Sequence, residues 1–223
     1  MWTKLHRPKF LKDVIGNQEI VTTIKSMLSN PPHLLLYGPP GVGKTTIAHC
    51  IINEIGCDYK EINASDDRGI ETVRTVIKNF ANTASLNGKF KIIILDEFDA
   101  TTPDFQTALR RLMEMYSDNC RFILTANNYA NIIDPIRSRC RGGTFDFLPI
   151  AYDEFKRGIL SILSKESMTI TEEALLELHK LSNGDLRIID KLYQISFTSK
   201  NITLGDIISI KDDNSWQDLL KLI

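Results

Sequence analysis

The sequence has no long apolar run, no C-x-x-C pair and no marked excess of charge of either sign. No stretch approaches the length of a membrane-spanning helix, and the first ten residues, MWTKLHRPKF, have no apolar core of the kind found in signal peptides. The cysteines and histidines are scattered, which predicts neither a zinc knuckle nor a disulfide framework. We therefore expect a reduced, intracellular setting: the cytoplasm or nucleus, depending on the source, or the host cell if the source is viral.

The balance of charge limits what the surface as a whole can attract. The 223 residues include 27 Lys and Arg against 28 Asp and Glu, a formal net charge of -1. A nucleic-acid partner would therefore need positive charge gathered on one surface. The hydrophobic share of 43% and charged share of 25% are those of an ordinary globular protein with one large domain or two small ones.

The most informative segment is 33–47, HLLLYGPPGVGKTTI, where an apolar run meets a glycine-rich turn, a Lys-Thr pair and a helical pattern. This is the G-x-x-x-x-G-K-T phosphate loop in its required setting of strand, loop and helix. Backbone N–H groups and the helix N-terminus would cradle phosphates, Lys44 would reach the terminal phosphates of ATP, and the Thr45 hydroxyl would bind Mg²⁺. The predicted nucleotide-contacting residues are Gly38, Pro39, Pro40, Gly41, Val42, Gly43, Lys44, Thr45 and Thr46. A glycine turn in an unrelated α/β domain would leave the Lys-Thr pair unexplained.

Acidic residues follow a second apolar run at 91–99, KIIILDEFD. In phosphate-loop enzymes Asp96 at this place would help hold Mg²⁺, and Glu97 would orient and deprotonate the attacking water. Asn127 and Asn128 follow the next predicted strand, and an amide there could hydrogen-bond the γ-phosphate or the water. All of these would lie at the carboxyl edge of one sheet, where open α/β sheets bind ligands. Taken singly, the acids and the asparagine are also explained by solvated turns.

Short apolar runs alternate with amphipathic segments over residues 1–149, which predicts an α/β domain with a five-stranded parallel sheet flanked by helices. The predicted strands are His33–Tyr37, Tyr59–Asn63, Phe90–Leu95, Arg121–Thr125 and Thr144–Phe147. The predicted helices are Lys44–Ile55, Ile70–Ala84 and Pro103–Tyr116, the last capped by Thr102.

Helical patterns alone fill residues 150–211, which predicts a second, small all-helical domain. Its predicted helices are Tyr152–Lys165, Glu172–Leu181 capped by Thr171, Asp185–Ser199 and a shorter piece near Leu204–Ile210. In residues 212–223, Ser215–Asp218 resembles a capping box, and the residues Trp216, Leu219, Leu220 and Ile223 share one stripe. That stripe would either dock on the helical domain or begin a further helix.

Two arginines could neutralise charge as a phosphoryl group leaves. Arg139 stands in the sequence S-R-C and Arg187 in G-D-L-R. Surface arginines are usually only solvated, so spacing alone supports these two weakly.

Taken together, these motifs resemble the small subunits of sliding-clamp loaders, the replication factor C type of AAA+ ATPase, including phage and archaeal relatives. The resemblance runs from about Leu5 to about Tyr193 in the family's order, and Phe98 stands where the family's D-E-A-D-like box has alanine. The motifs that carry it are His6–Lys9 with Asp13–Gln18, Gly38–Thr45, Asn63–Ile70, Leu95–Glu97, Ala108–Glu114, Ser138–Cys140 and Gly184–Arg187.

The resemblance implies an AAA+ P-loop NTPase fold with a helical lid, and it assigns roles within an ATP site. Arg139 would be an arginine finger acting in trans on ATP held by the next subunit, and Arg187 would be the sensor-2 arginine of the lid. Asn127 would be sensor 1, with Asn128 as the fallback, and Asn63 would be a polar partner that restrains Glu97 until DNA binds. The adenine would be bordered by Arg7, Val14 and Ile15.

The resemblance also implies partners: other clamp-loader subunits in a pentamer, a sliding clamp, and primer–template DNA bound without regard to sequence. Arg68, Arg74 and Lys78 are the candidate DNA contacts, because the helix carrying Arg74 and Lys78 lines the inner channel in the resembled family. Without the family, a solvated basic face balanced by Glu71 would be the simpler interpretation. Residues 212–223 would begin the family's collar domain, for which the chain ends too early.

Three other functions share part of this pattern. A branch-migration helicase or a replication initiator would have the same ATP site. A nonhydrolysing scaffold subunit is disfavoured by the intact Lys44, Asp96 and Glu97. A metabolite kinase would share the phosphate loop, but we would not expect it to carry S-R-C and G-D-L-R at these places.

Overall fold

The computed structural model describes residues 1–64, 70–83, 85 and 90–212. They divide into two compact units, one formed by residues 8–148 and the other by residues 1–7 together with the residues from 149 onward. The sequence-based division placed residues 1–7 with the first domain instead. The stripe predicted at 216–223, the capping box at Ser215–Asp218, and Arg68 all lie outside the described residues.

Helices and strands alternate in the first unit and helices dominate the second. The α-helices are α1 Trp2–Leu5, α2 Gln18–Ser26, α3 Lys44–Ile55, α4 Ile70–Asn82, α5 Pro103–Met115, α6 Asp134–Arg139, α7 Tyr152–Lys165, α8 Glu172–Ser182, α9 Ile189–Ile195 and α10 Leu204–Asp212. The strands are β1 Leu34–Tyr37, β2 Tyr59–Asn63, β3 Lys91–Asp96, β4 Cys120–Ala126, β5 Thr144–Asp146, β6 Thr169–Ile170 and β7 Asn201–Ile202. No helix in the described ranges is both long and apolar enough to cross a membrane.

The first unit is built on a five-stranded sheet in the order β2-β3-β4-β1-β5, and every neighbouring pair is parallel. This confirms the predicted sheet, with each strand end within one residue of its expected place. The core lies on both faces: Ile93 and Leu95 pack with one buried cluster, whereas Ile92 and Ile94 pack with the other. Because helices cover both faces, the three central strands β3, β4 and β1 are mostly apolar rather than alternating, whereas the edge strand β2 is largely exposed.

Side-chain caps fix the starts of two helices as the sequence predicts. The Phe105 backbone N–H donates to the Thr102 hydroxyl at 3.3 Å, and Pro103 occupies the first turn of α5, where its missing N–H costs nothing. In the second unit the Ala174 N–H donates to the Thr171 hydroxyl, also at 3.3 Å, at the start of α8.

The second unit contains a feature that the helical pattern did not reveal: β6 and β7 form a short parallel pair. The helix predicted over Asp185–Ser199 is wrong in its extent. A 3₁₀ turn at Leu186–Ile188 comes first, because the Asp185 carboxylate accepts from the Arg187 N–H at 2.8 Å, and α9 follows.

The N-terminal segment is tied to this second unit by polar contacts. The Thr3 N–H donates to Asp190 at 2.9 Å, and the His6 ring lies 2.8 Å from the Glu166 carboxylate. Trp2, only 2% exposed, packs against Tyr193. Residues with long sequence separation thus close this unit around α1 and α9.

His33, just before β1, makes folding sensitive to acid. Its Nδ1 accepts a hydrogen bond from the Phe122 N–H at 3.2 Å, which requires that nitrogen to be unprotonated. Burial, and then the positive charges of Arg121 and Arg139, lower the pKa of His33 to about 4. The unfolded chain binds this proton near pH 6.5, so stability from this group is complete above that pH and is lost as the pH falls toward 4.

We therefore predict that His33→Asn, which keeps an acceptor for Phe122, flattens the pH dependence of stability. Between pH 7 and pH 4.5 the wild type should lose on the order of 2 kcal/mol more unfolding free energy than the variant. Urea denaturation at the two pH values measures this, with His49→Asn as the control for removing another imidazole. Equal losses in the wild type and His33→Asn would contradict the assignment.

Candidate functional site

The loop between β1 and α3 depends on glycine at positions where another residue would clash or strain. Gly38 has φ +139°, and a Cβ placed there would lie 2.2 Å from the Phe147 carbonyl oxygen. Gly43 has φ +97° where the chain enters α3. These conformations let the loop pass close to its neighbours and begin a helix abruptly, as a phosphate-binding loop must.

Lys44 lies at the start of α3 with its side chain held inside the loop. The residue is only 8% exposed, and its Nζ donates to the carbonyl oxygens of Gly38 at 2.8 Å and Pro39 at 2.7 Å. It also donates to the Asn127 Oδ1 at 2.9 Å. The ammonium is thus fixed between the phosphate loop and the end of β4.

A second set of contacts joins the loop to β3. The Thr45 hydroxyl donates to the two Asp96 carboxylate oxygens at 3.0 and 3.2 Å. A hydroxyl and a carboxylate brought together in this way are the oxygen donors that Mg²⁺ prefers. These two residues therefore fit the magnesium-binding role that the sequence predicts for them.

Thr125 completes this network, and its role was not predicted from the sequence. Its side chain, 2% exposed, donates to Asp96, and its oxygen accepts the Glu97 backbone N–H at 3.2 Å. A hydroxyl next to the apolar run of β4 was the available signal, but threonine is common in strands and does not stand out.

Glu97 is exposed and has φ +53°, a left-handed conformation that is unfavourable for a residue with a side chain. The Thr125 hydroxyl holds its backbone on one side, and on the other Phe98 is completely buried. The chain therefore turns sharply after Asp96 and leaves the carboxylate of Glu97 at the surface of the sheet edge.

The two candidate asparagines have different roles. Asn127 contacts Lys44, whereas the Asn128 side chain accepts the Ala130 N–H at 3.0 Å and caps the 3₁₀ turn Tyr129–Asn131. This geometry favours Asn127 over Asn128 as the residue facing a bound nucleotide.

The remaining predicted loop residues continue the same segment. Pro39, Pro40 and Gly41 form the turn, Val42 is buried beneath it, and Thr46 lies in the first turn of α3. Val14 is buried after the 3₁₀ turn Leu11–Asp13, and Ile15 beside it is half-buried. These residues belong to the same unit as Lys44.

Of the three predicted arginines, only Arg139 belongs to the same unit as Lys44 and Asp96, and its described hydrogen bonds go to another residue of that unit. Arg139, at the end of α6, contacts the Glu114 carboxylate through Nε at 2.9 Å and through Nη2. Arg187 belongs to the second unit, where Asp185 accepts from its Nε at 3.0 Å and raises the pKa of the guanidinium. Arg7 is exposed and belongs to that second unit as well.

Of the DNA candidates, Lys78 is exposed and Arg74 is half-buried, one turn apart on α4. The C-terminal end of α4 is fixed by the buried Lys91, whose Nζ donates to the Phe80 carbonyl at 2.7 Å and lies over the Phe80 ring. The helix is therefore anchored to β3, the strand that ends in Asp96.

Gln106 is a second buried polar residue whose role was not predicted from the sequence. It is 1% exposed on α5, donates to the Asn131 carbonyl at 2.9 Å and accepts the Ile133 N–H at 2.9 Å. It therefore joins α5 to the segment that leads from Asn127 into α6. A single amide on the apolar face of a helix was the available signal.

Residues 34–145 match the family described as "ATPase family associated with various cellular activities (AAA)". The chain is 42% identical to the replication factor C small subunit of Staphylothermus marinus over 94% of its own length and 66% of that protein's. It is 39% identical to the replication factor C small subunit of Archaeoglobus fulgidus, over 100% of this chain and 77% of the relative.

Among solved structures, the Thermotoga maritima RuvB Holliday junction branch migration motor matches with a TM-score of 0.73. The match covers 91% of this chain and 71% of that one at 22% identity, so it establishes the fold alone. Together with the family match over residues 34–145, it confirms the predicted AAA+ P-loop fold.

We predict that Thr125→Val weakens both the fold and the site, because it removes a donor to Asp96 and the acceptor of the Glu97 N–H without changing the side chain's size. The unfolding free energy should fall by about 1–3 kcal/mol, and Mg²⁺-dependent nucleotide binding should weaken. Urea denaturation and titration with a fluorescent nucleotide measure the two effects. Thr125→Ser, which keeps the hydroxyl, is the control and should recover most of both; if it behaves like valine, the hydroxyl is not what matters.

Proposed function

Because the chain belongs to the replication factor C small-subunit family of AAA ATPases, we propose that it is an ATP-hydrolysing subunit of a DNA-replication sliding-clamp loader. The observation that carries the proposal is the convergence at one sheet edge of Lys44 with Asn127 and of Thr45 with Asp96. A scaffold that binds no nucleotide would have no need of this arrangement, and the exposed Glu97 beside it is the carboxylate that hydrolysis would require.

The phosphate loop, Gly38 to Thr46, would bind the phosphates of ATP, with Lys44 at the terminal phosphates and Thr45 and Asp96 holding Mg²⁺. When bound, Mg²⁺ neutralises charge on the phosphate oxygens and orients them. Arg7, Val14 and Ile15 would border the adenine. This set fits the group because the loop's glycines leave no Cβ where the backbone must approach closely and because the magnesium-binding oxygens already lie together.

Within this site Glu97 would act as the general base that accepts a proton from the attacking water. Asn127, held by Lys44, would hydrogen-bond the water or the γ-phosphate. Asn63 is paired in register with Asp96, one residue from Glu97. From that position it would restrain the carboxylate until DNA is bound.

The remaining charges would come from the lid and from a neighbour. Arg187 would approach ATP from the helical lid after exchanging its contact with Asp185. Arg139 would serve the ATP of the next subunit as an arginine finger, which is consistent with its lying outside its own Lys44–Asp96 network. Each active site would then be complete only when subunits assemble, in a pentamer by analogy with the resembled family.

DNA would bind through phosphate contacts from Arg74 and Lys78 on α4, and from Arg68 before it. Such contacts fix position without reading sequence, as a loader acting at any primer end requires. ATP binding would assemble the subunits into a spiral that grips and opens a ring-shaped clamp. Primer–template DNA would then align Glu97 and Asn127 with the neighbour's Arg139, and hydrolysis would release the clamp on DNA.

We predict that primed DNA together with the cognate clamp stimulates ATP hydrolysis by the assembled complex. The substitution Glu97→Gln should lower the rate of hydrolysis at least about 100-fold. ATP binding should persist, because the isosteric amide leaves the loop and Asp96 intact. Phosphate release and filter binding measure the two quantities. An unchanged rate in Glu97→Gln would favour the scaffold alternative, whereas stimulation by DNA junctions in place of primed DNA and clamp would favour a branch-migration motor.

The proposal that Arg139 acts in trans predicts complementation between two inactive variants. A Lys44→Ala subunit has a defective ATP-binding site but keeps the arginine finger Arg139. An Arg139→Ala subunit lacks the arginine finger but keeps an intact ATP-binding site. Each should be inactive alone, while a mixture assembled with the other subunits should regain part of the wild-type turnover. A mixture no more active than its components would contradict a shared site, as would full activity of Arg139→Ala alone.

A further inference from the structure

The side chain of Arg139 does not extend freely from α6 but is held by Glu114, from the last turn of α5. The Glu114 Oε1 accepts from Nε at 2.9 Å and also from Nη2. Both side chains are exposed, Arg139 by 43% and Glu114 by 38%. The contact joins two separate helices, 25 residues apart in sequence.

Glu114 is surrounded by positive charge. The Arg110 Nε lies 3.7 Å from the same carboxylate oxygen. The hydrogen bond from Arg139, together with the charges of Arg139, Arg110 and Arg111, holds the pKa of Glu114 below its usual value. The carboxylate is therefore ionised at neutral pH and balances part of a cluster of guanidinium groups.

The backbones that carry this pair are firmly placed. On α5, Leu112 and Met113 are 4% and 0% exposed, and at the end of α6 both Ile136 and Cys140 are completely buried. All four belong to one core cluster. Because neither helix end is free to move independently, a hydrogen bond between Glu114 and Arg139 sets the direction of the guanidinium rather than the position of its backbone.

The geometry of the contact leaves one edge of the guanidinium for another anion. Glu114 accepts from the Arg139 Nε and Nη2. Within the described part of the chain, Nη1 of Arg139 has no hydrogen-bond acceptor. A guanidinium has two edges that match an anion's paired oxygens, so an arginine held along the Nε edge can present its terminal edge to a phosphate. A carboxylate in this place orients the arginine without occupying the edge that a nucleotide would use.

We propose that Glu114 is a positioning residue for Arg139, holding the Nε edge of the finger so that its terminal edge faces the nucleotide of the adjoining subunit. This deepens the proposed function and depends on Arg139 acting in trans. An exposed ion pair adds little to stability, so the contribution of Glu114 lies in ordering a long, flexible side chain before assembly. The loss of that order should lower turnover and leave binding of ATP by the same subunit unchanged.

The test uses Glu114→Gln, which keeps the shape but removes the charge, with Asp118→Asn as the matched control. Asp118 is an exposed carboxylate four residues further along the chain. In the assembled complex, Glu114→Gln should lower kcat about three- to tenfold with little change in KM for ATP, and Asp118→Asn should leave both unchanged. Glu114→Gln should also unfold at the wild-type temperature.

Mixed assemblies separate positioning from a general structural effect. When Glu114→Gln is added to the Lys44→Ala subunit, which supplies Arg139, the ATPase rate of the mixed assembly should fall. Combined with Arg139→Ala in the subunit that gives the pocket, Glu114→Gln should have no effect, because that subunit has no finger to orient. A loss of rate in both arrangements, or in neither, would overturn the proposal.

Two results distinguish an error in the trans role of Arg139 from an error in the positioning role of Glu114. If Arg139→Ala turns over at the wild-type rate, the trans finger itself is wrong and the role of Glu114 falls with it. If Arg139→Ala is inactive but Glu114→Gln on the finger-giving subunit is as fast as the wild type, only the positioning role is wrong.

Discussion

Parallel pairing of β3, β4 and β1 is the constraint from which the rest of the site follows. In this register Leu95 lies beside Leu124 and Tyr37 beside Ala126, so Asp96, Thr125 and the first glycine of the loop meet at one edge. The Gly38 N–H continues the ladder by donating to the Ala126 carbonyl at 3.2 Å. A one-residue slip would turn Asp96 to the other face of the sheet, because side chains alternate along a strand.

Buried polar groups then make this edge specific. Thr125 is almost fully buried and is satisfied by Asp96 and by the Glu97 N–H, while Lys44 is buried between carbonyl and amide oxygens. Leaving such groups without partners costs more than a typical hydrogen bond gains, so the network tolerates few arrangements. It also supports the left-handed backbone at Glu97, which would be unfavourable in an unsupported turn.

The two predicted catalytic arginines, Arg139 and Arg187, are placed by ion pairs rather than by buried hydrogen bonds. Arg139 and Arg187 are each held by a nearby carboxylate, that of Glu114 and that of Asp185 respectively. Charge-assisted contacts of this kind order a guanidinium, and the contact of Arg139 with Glu114 leaves its terminal edge available to an anion.

The sequence by itself determined the five-stranded sheet, the phosphate loop, the acids after β3 and the caps at Thr102 and Thr171, because each is a local pattern with one dominant physical explanation. The resemblance alone preferred Asn127 to Asn128. The sequence did not reveal Thr125, Gln106 or the pairing of Arg139 with Glu114, because these depend on which side chains meet across strands and helices far apart in the chain. The N-terminal segment was grouped by its neighbours in sequence, whereas its contacts with Asp190 and Glu166 put it in the helical unit. Local periodicity specifies the elements, and only tertiary packing decides which polar groups they bring together.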